Sequence, residues 1–352
     1  MNKNKPSRIG CLARIGRAVL WLIVVLALLL AAGYLYQRQT TAADFEQFPA
    51  PGQRVDVGGY SLHIYCTGEG SPTVVVDTGN GDFSLGWSGI QPEVAKFTRI
   101  CAYDRAGYGW SDPSPKPRTA KVMAEELHTL LVNGEIEPPY VLVGHSLGGL
   151  NVRMFADMYP DEAAGMVLVD SAHPDQLNRF PPEYVGLNQQ QTTFLSVAGF
   201  MSRFGILRLL GNTSQGQDFA PPTVLQLPAD VQPVYMTMIS HPTYFDATLA
   251  EIRSLPETNA QVQSLGSLGD LPLIVLTAEQ SIDVAALKAM GYDAKIDLNA
   301  IQQIWLELQD ELAALSTNSE HVIVKDSHHF IHLDQPSAVI DAIRRMVERA
   351  GG

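Results

Sequence analysis

A serine flanked by glycines is the strongest chemical signal in this chain of 352 residues. Ser146 is the third residue of the pentapeptide GHSLG at 144–148, directly after the apolar run 141–143 and directly before a helix-compatible run. In a sharp strand-to-helix turn, larger side chains at the two glycine positions would collide with the neighbouring strand and helix. Such a turn holds the serine hydroxyl at its apex, so the pattern indicates a nucleophile.

A serine hydroxyl attacks only when an adjacent base removes its proton, so a catalytic serine also requires a histidine. Of the nine histidines, His329 is favoured because it follows a strand-like run and precedes an apolar pair. The neighbouring His328 is a competitor for the same role. His145 is interpreted as shaping the turn around the serine, and His332 as an ordinary polar residue.

The elements that must position these residues follow from hydrophobic periodicity. Eight runs predict strands at Gln53–Val57, Ser61–Tyr65, Thr73–Asp77, Ile100–Tyr103, Tyr140–Val143, Met166–Val169, Leu271–Thr277 and His321–Lys325. Amphipathic runs predict helices at Thr119–Val132, Leu150–Tyr159 and Ser337–Ala350. Because strands and helices alternate after the first hairpin, we expect an α/β fold, with a mostly parallel central sheet and helices on both faces.

The alternation stops at about residues 172–269, where proline and glutamine clusters and short amphipathic pieces replace the strands. Strands are predicted on both sides of this stretch, so it is interpreted as an insertion that forms a helical cap over the mouth of the sheet. Its apolar side chains could line a lipophilic acyl pocket or form the core of the cap itself, which is the commoner arrangement. They include Phe194, Phe200, Met201, Phe204 and Leu207.

The N-terminal region has the charge pattern of a membrane anchor. Five basic residues and no acidic residue lie within positions 1–18, and a long apolar segment follows at 19–36. This segment can cross a hydrocarbon core of roughly 30 Å. The basic flank predicts a cytoplasmic N-terminus with the rest of the chain on the other side of the membrane. We therefore predict a leader at 1–18, a single-pass signal anchor at 19–36, a linker at 37–52 and a globular domain at 53–352.

Two further interpretations follow from charge and segment length. A cleaved signal peptide is the alternative to an anchor, and it would make the protein secreted. All 37 acidic residues but only 18 of the 24 basic residues lie beyond position 40. A domain with this negative balance is not expected to bind nucleic acid.

Four sequence blocks, taken together, resemble the α/β-hydrolase fold superfamily. They are VDTGNG at 76–81, YDRAGYGWS at 103–111, the serine pentapeptide, and DSHHFI at 326–331. The resemblance covers about residues 53–350 and implies an α/β-hydrolase domain with a cap insertion. It also implies a nucleophile, acid and histidine in that chain order, and it favours His329 because members of the family place their base in a loop of similar form.

The acid of such a triad is the least certain position. In most of the family it follows the strand after the cap, but Ser281 occupies that position here. A variant of the fold places the acid at the end of the preceding strand, where this chain has Asp170. Asp170 is therefore our first prediction, Asp283 is the alternative, and Glu279 is a further candidate.

The resemblance implies two more features. The backbone N–H groups of Asn80 and Leu147 are expected to bind the oxyanion of a tetrahedral intermediate. Cys66 ends the second strand and Cys101 begins the fourth, and these strands are antiparallel neighbours in the fold, so a disulfide is expected between them. Of the three cysteines, only Cys11 lies in the leader.

The function predicted from these residues is that of a membrane-anchored serine hydrolase. It would cleave an ester or related acyl substrate through a Ser-His-Asp triad and an acyl-enzyme, with no metal or cofactor. The partner is a small acyl compound, and the membrane segment favours a lipophilic one. Acyl transfer and C–C bond hydrolysis use the same turn and remain alternatives, as does a non-catalytic binding protein, which the altered acid loop favours.

Overall fold

The computed structural model describes residues 8–211, 221–281 and 297–351. The alternative acid Asp283 lies outside the described residues, so its role stays a prediction.

One mixed sheet of eight strands forms the centre of the domain. The strands are β1 Gln53–Asp56, β2 Ser61–Thr67, β3 Thr73–Asp77, β4 Ile100–Asp104, β5 Tyr140–His145, β6 Ala163–Val169, β7 Leu273–Ala278 and β8 Ser319–Val324. Their spatial order is β1-β2-β4-β3-β5-β6-β7-β8. Strand β2 pairs antiparallel with both β1 and β4, and every other pairing is parallel. The predicted α/β fold is confirmed.

The helices outside the cap cover both faces of the sheet. Outside the cap and the N-terminal helix they are α2 Gln91–Val94, α3 Ala120–Asn133, α4 Leu147–Met158, α11 Leu298–Ala313, α12 Ile331–Asp334 and α13 Pro336–Gly351. Helices α3 and α4 contribute to one hydrophobic core, and α13 contributes to a second core on the other face. The inner strands β3 and β5 are buried over their whole length because each lies between these two layers.

The chain between β6 and β7 is helical where it is described. Its helices are α5 Gln176–Arg179, α6 Pro182–Arg203, α7 Ile206–Gly211, α8 Pro222–Leu225, α9 Gln232–Ile239 and α10 Pro242–Gln263. We refer to these six helices as the cap. The cap shares a third hydrophobic cluster with the loops at the carboxyl edge of the sheet, in which Val224, Leu227 and Met238 pack with Phe83 and Tyr108. The cap therefore lies over the edge of the sheet at which Ser146 is placed.

The N-terminal helix is longer than the sequence pattern indicates. Helix α1 runs from Arg8 to Gln47, so the predicted linker at 37–52 is helical over most of its length. The physical reason is that polar side chains in this part of α1, among them Asp44, bind the cap rather than water. Within α1, the most apolar window of Leu12–Gln47 has a mean hydropathy of 2.7, and none of that window is buried. The helix is therefore long and apolar enough to cross a membrane.

A disulfide links the two strands that the resemblance brings together. Cys66 lies directly opposite Cys101 in the antiparallel β2–β4 register, and the structure joins them. The bond ties the antiparallel part of the sheet to its parallel part.

Candidate active site

Ser146 lies at the apex of the turn between β5 and α4, with φ +52°. This backbone conformation is strained for a residue with a side chain. The flanking glycines make the turn possible: a Cβ on Gly148 would lie 2.1 Å from the carbonyl oxygen of Asp77, and one on Gly144 would lie 2.7 Å from the Cα of Gly149. The steric reason for the glycines that was inferred from the sequence is therefore visible in the structure.

Three of the predicted site residues form one chain of hydrogen bonds. The Nε2 atom of His329 lies 2.9 Å from the Oγ atom of Ser146. The Nδ1 atom of the same ring lies 2.7 Å from Oδ2 of Asp170. Asp170 is fully buried, whereas 29% of the His329 side chain is exposed. A serine, an imidazole and a buried carboxylate in this order can transfer a proton away from the serine during attack.

Asp170 is held by more groups than the imidazole. It follows the last residue of β6 with φ +40°, and its Oδ1 atom accepts hydrogen bonds from the backbone N–H of Ala278 and from Nε1 of Trp305, both at 2.9 Å. The hydroxyl of Ser281 also donates to Oδ1, at 3.2 Å. Ser281 occupies the position at which most of the family would carry the acid, and here its hydroxyl binds Asp170, the acid predicted at the end of β6. Neither Trp305 nor this role of Ser281 was predicted.

The competing candidates lie in other contacts. His328 is 43% exposed, and its Nδ1 atom lies 3.2 Å from Oδ2 of Asp334. Glu279 accepts a hydrogen bond from the backbone N–H of Asp326. The structure therefore brings His329, and not His328, to Ser146.

The loop after β3 passes directly beside the serine. A Cβ on Gly79 would lie 3.3 Å from the Cβ of Ser146, so the backbone of this loop can approach the reacting hydroxyl closely. Asn80 follows, and its side-chain amide donates to Oε2 of Glu251 on α10, at 2.8 Å. Leu147 is the first residue of α4, where a backbone N–H has no partner within its own helix. The use of the Asn80 and Leu147 N–H groups as an oxyanion hole stays a prediction.

A buried arginine fixes this loop to the cap. The guanidinium of Arg105 binds Asp77 at 2.8 Å and the carbonyl oxygen of Gly79 at 2.7 Å. Its Nε atom donates to Oε1 of Glu251, at 2.7 Å. Because Glu251 also accepts from Asn80, the backbone around the predicted oxyanion hole is held between the sheet and α10. Arg105 thus has a structural role in this loop.

Near His329 lies a group of three buried polar side chains whose proximity was not predicted from the sequence: Asp82, His145 and His332. One potential ligand atom from each lies within 4.8 Å of the other two, so by residue type the group could hold a metal ion. Burial lowers the pKa of His145 well below its usual value and lowers the pKa of His332 to about 3, so both rings are neutral. Burial also raises the pKa of Asp82 to about 6.

His145 connects this group to the site. Its Nε2 atom lies 2.9 Å from the carbonyl oxygen of His329, and since a carbonyl only accepts, this nitrogen carries the proton. The contact holds the backbone of the loop that bears the His329 imidazole. His145 therefore supports the loop that carries His329, in addition to its place next to Ser146 in the turn.

Comparison with known proteins agrees with this geometry at the level of the family. The chain is 24% identical over 318 residues to the probable transporter efuK of Hormonema carpetanum, spanning 84% of this chain but only 42% of that protein. It is 26% identical over 289 residues to the uncharacterised protein YqjL of Bacillus subtilis, spanning 82% of this chain and 88% of that one.

Solved structures show the same fold. A thermophilic esterase from Thermogutta terrifontis has a TM-score of 0.58 at 24% identity, over 85% of this chain and 99% of the esterase. The haloalkane dehalogenase DatA from Agrobacterium tumefaciens has a TM-score of 0.61 at 19% identity, over 85% and 96% of the two chains. The family model described as "Alpha/beta hydrolase family" matches residues 74–342, well over half of the sequence. This chain therefore belongs to the alpha/beta hydrolase family.

Proposed function

We propose that this protein is a serine hydrolase that cleaves an ester or related acyl substrate at Ser146. The observation that carries the proposal is the continuous contact from Ser146 to His329 to Asp170, at 2.9 Å and 2.7 Å. A hydroxyl, a base and a buried carboxylate in this order are the groups that acyl transfer through a serine requires.

In the first half of the proposed reaction, the Oγ atom of Ser146 attacks the acyl carbon while Nε2 of His329 takes the hydroxyl proton. The backbone N–H groups of Asn80 and Leu147 stabilise the resulting oxyanion. When the tetrahedral intermediate collapses, the bond to the alcohol breaks, and His329 gives its proton to the leaving oxygen. The acyl group is then esterified to Ser146.

In the second half, Nε2 of His329 takes a proton from water, and the hydroxide attacks the acyl-enzyme. Collapse of the second intermediate releases the acid and returns the proton to Ser146. Throughout, Asp170 accepts from Nδ1 of the imidazole and stabilises its charged form. These steps need no metal and no cofactor.

The nucleophile decides between chemistries of this family. The dehalogenase among the structural neighbours has the same fold. In this family, however, dehalogenation and epoxide hydrolysis are expected to use an aspartate as the nucleophile. Here the apex residue is a serine, which favours acyl chemistry. Acyl transfer and C–C bond hydrolysis use the same three residues and differ in the compound that accepts or leaves.

The membrane part of the proposal rests on α1. We propose that residues 19–36 cross the membrane once, with the N-terminus in the cytoplasm and the catalytic domain outside it. The basic residues of the leader and the exposed apolar side chains of this segment support the proposal, and they include Leu20, Trp21, Leu22 and Ile23. Such an anchor favours a lipophilic small-molecule substrate.

A fluorophosphonate probe tests the catalytic proposal directly, because it forms a covalent adduct only with an activated serine. We expect mass spectrometry of the labelled full chain to place the adduct on Ser146, and we expect no adduct in the Ser146→Ala variant. Ser264→Ala, which changes an exposed serine after α10, is the matched control and should label like the wild type. If the folded wild-type protein is not labelled, the proposal fails and the binding-protein alternative takes its place.

A further inference from the structure

Helix α6 of the cap exposes a row of large apolar side chains. Phe194, Val197 and Phe200 are 69%, 54% and 51% exposed, and their spacing of three residues places them on one face of the helix. Leu209 on α7 is 59% exposed. We call these four residues the apolar row. The sequence suggested that Phe194 and Phe200 line a pocket or fill the core of the cap, and their exposure agrees with neither interpretation.

The apolar row begins where the cap contacts α1. The ring of Phe200 lies 4.9 Å from the ring of Phe204, centroid to centroid. Phe204 in turn packs against Gly33, where a Cβ would lie only 2.4 Å from the carbonyl oxygen of Phe204. Gly33 lies inside the apolar segment 19–36, so the cap contacts the part of α1 that is proposed to be in the membrane.

A buried polar joint fixes the cap to the next turns of α1. Asp44 forms an ion pair with Arg208 of α7, and Nε2 of His241 lies 2.8 Å from Oδ2 of the same carboxylate. Arg208 also donates from Nε to Oε1 of Gln37, at 3.0 Å. Asp44 and Arg208 are only 12% and 13% exposed, so the joint is largely screened from water. The position of α6 and α7 relative to α1 is therefore defined by contacts along several turns.

We propose that the apolar row of α6 and α7 is a membrane-docking surface that inserts into the lipid bilayer beside α1. The occupant is lipid because the row is continuous with a helix whose own side chains from Val19 to Leu29 are exposed and apolar. A helix with one apolar face of this kind binds at the boundary between the headgroups and the acyl chains. This inference rests on the proposed membrane crossing of α1.

Docking in this position defines the class of substrate that reaches Ser146. The cap lies over the edge of the sheet that carries Ser146, and α10 of the cap binds the loop that bears Asn80. With α6 and α7 in the bilayer surface, the cap that packs on the loops beside Ser146 lies against the lipid. We therefore assign the site to esters with long acyl chains that are dissolved in the membrane, which deepens the proposed function.

Nitroxide labels on the full chain in phosphatidylcholine vesicles test the docking surface. Cysteine is introduced at Phe194, Val197 or Phe200 in a Cys11→Ser background, in which the other two cysteines form the disulfide. We expect labels in the row to be more accessible to dissolved oxygen than to a water-soluble nickel complex, as labels in lipid are. A control label at Val132 should show the opposite order, because this 56% exposed side chain is at the end of α3, where the chain returns to the amino edge of the sheet.

If labels at 197 and 200 show the same accessibility as the label at 132, the docking surface is overturned. Fluorophosphonate labelling of Ser146 in the same samples separates this failure from a failure of the proposed function. A protein that labels at Ser146 but keeps its row in water is a serine hydrolase without the docking surface.

Kinetics test the substrate class. In a variant with Phe194→Ser, Val197→Ser and Phe200→Ser, we expect kcat/KM for a long-chain ester in vesicles to fall by about tenfold or more, since three apolar side chains no longer hold the cap in the lipid. Hydrolysis of a soluble short-chain ester should stay unchanged. Equal losses on both substrates, or no loss on either, would overturn the assignment.

Discussion

At the scale of single residues, the predicted acid Asp170 illustrates how far a site can be predicted from sequence alone. The end of β6 and the loop after β7 both carry carboxylates, and the choice between them depends on where the imidazole of His329 lies. That position is set by contacts between residues far apart in the chain, so local patterns could only rank Asp170 first. The Trp305 and Ser281 contacts to Asp170 could not be found locally, because they join residues that are 135 and 111 positions apart in the chain.

Replacing Asp170 tests its proposed role. We expect Asp170→Asn to lower kcat for an ester by about 10⁴-fold, because an amide at this position favours the wrong tautomer of the imidazole. Glu279→Gln is the matched control in the loop after β7, and it should leave kcat unchanged. Steady-state kinetics of the two variants decide the question. Retention of most activity in Asp170→Asn would show that another carboxylate completes the site.

His332 gives a prediction about stability and pH. Its ring stacks on Trp87, with centroids 4.8 Å apart, and neither ring nitrogen has a hydrogen-bond partner in the described part of the chain. Burial lowers its pKa to about 3, so below pH 6.5 the unfolded chain binds a proton that the folded chain does not. The contribution of the neutral ring to the free energy of unfolding is therefore complete above pH 6.5. It is lost by about 1.4 kcal/mol per pH unit as the pH falls from 6.5 towards 3.

The variant His332→Phe keeps the stacked ring and removes this titration. We expect its free energy of unfolding to fall less than that of the wild type between pH 7.5 and pH 5, by about 2 kcal/mol. Urea unfolding at the two pH values measures the difference. The same loss in variant and wild type would mean that His332 is not buried in its neutral form.

At the scale of elements, the strands were predictable and several helices were not. All eight strands occur where the sequence predicted them, and the inner parallel strands such as β5 were recognisable because they are buried and mostly apolar over their whole length. No helix was predicted at Leu298–Ala313, which carries Trp305, and the insertion was predicted as helical only in short amphipathic pieces without defined bounds. In α10, for example, the buried Glu251 binds Arg105, and a buried polar side chain of this kind interrupts the apolar periodicity from which helices are predicted.

The turn at Ser146 gives a prediction at this scale. In Gly148→Ala the new Cβ would lie 2.1 Å from the backbone of Asp77, so the turn must move. We expect the rate of fluorophosphonate labelling to fall at least about 100-fold, because a shift of about 1 Å in the reacting group is sufficient for such a loss. The control is Gly89→Ala, where a Cβ would meet nothing within 4 Å. Labelling of Gly148→Ala at the wild-type rate would show that the turn tolerates the methyl group.

At the scale of the whole molecule, the structure contains the Cys66–Cys101 disulfide that the family resemblance predicted. It joins residues separated by 35 positions. Closing a loop of this length stabilises a protein by about 4 kcal/mol in the chain-entropy description. Its persistence requires an oxidising compartment, which agrees with the side of the membrane proposed for the domain.

Removing the disulfide tests this contribution. We expect the Cys66→Ser, Cys101→Ser double variant to lose about 4 kcal/mol of unfolding free energy and its Tm to fall accordingly. Cys11→Ser, which changes only the leader, should unfold like the wild type. Chemical denaturation under non-reducing conditions measures both variants. Equal stability of the double variant and the wild type would contradict a disulfide in the native protein.

The length and continuity of α1 have a kinetic consequence. A helix of 40 residues is about 60 Å long, twice the thickness of a hydrocarbon core, and its outer part is fixed to the cap by Asp44. An enzyme that is anchored by α1 as proposed encounters a substrate dissolved in the bilayer by diffusion within the same membrane. Its rate would then depend on the mole fraction of substrate in the bilayer, and adding inert lipid would slow it even at a constant total substrate concentration.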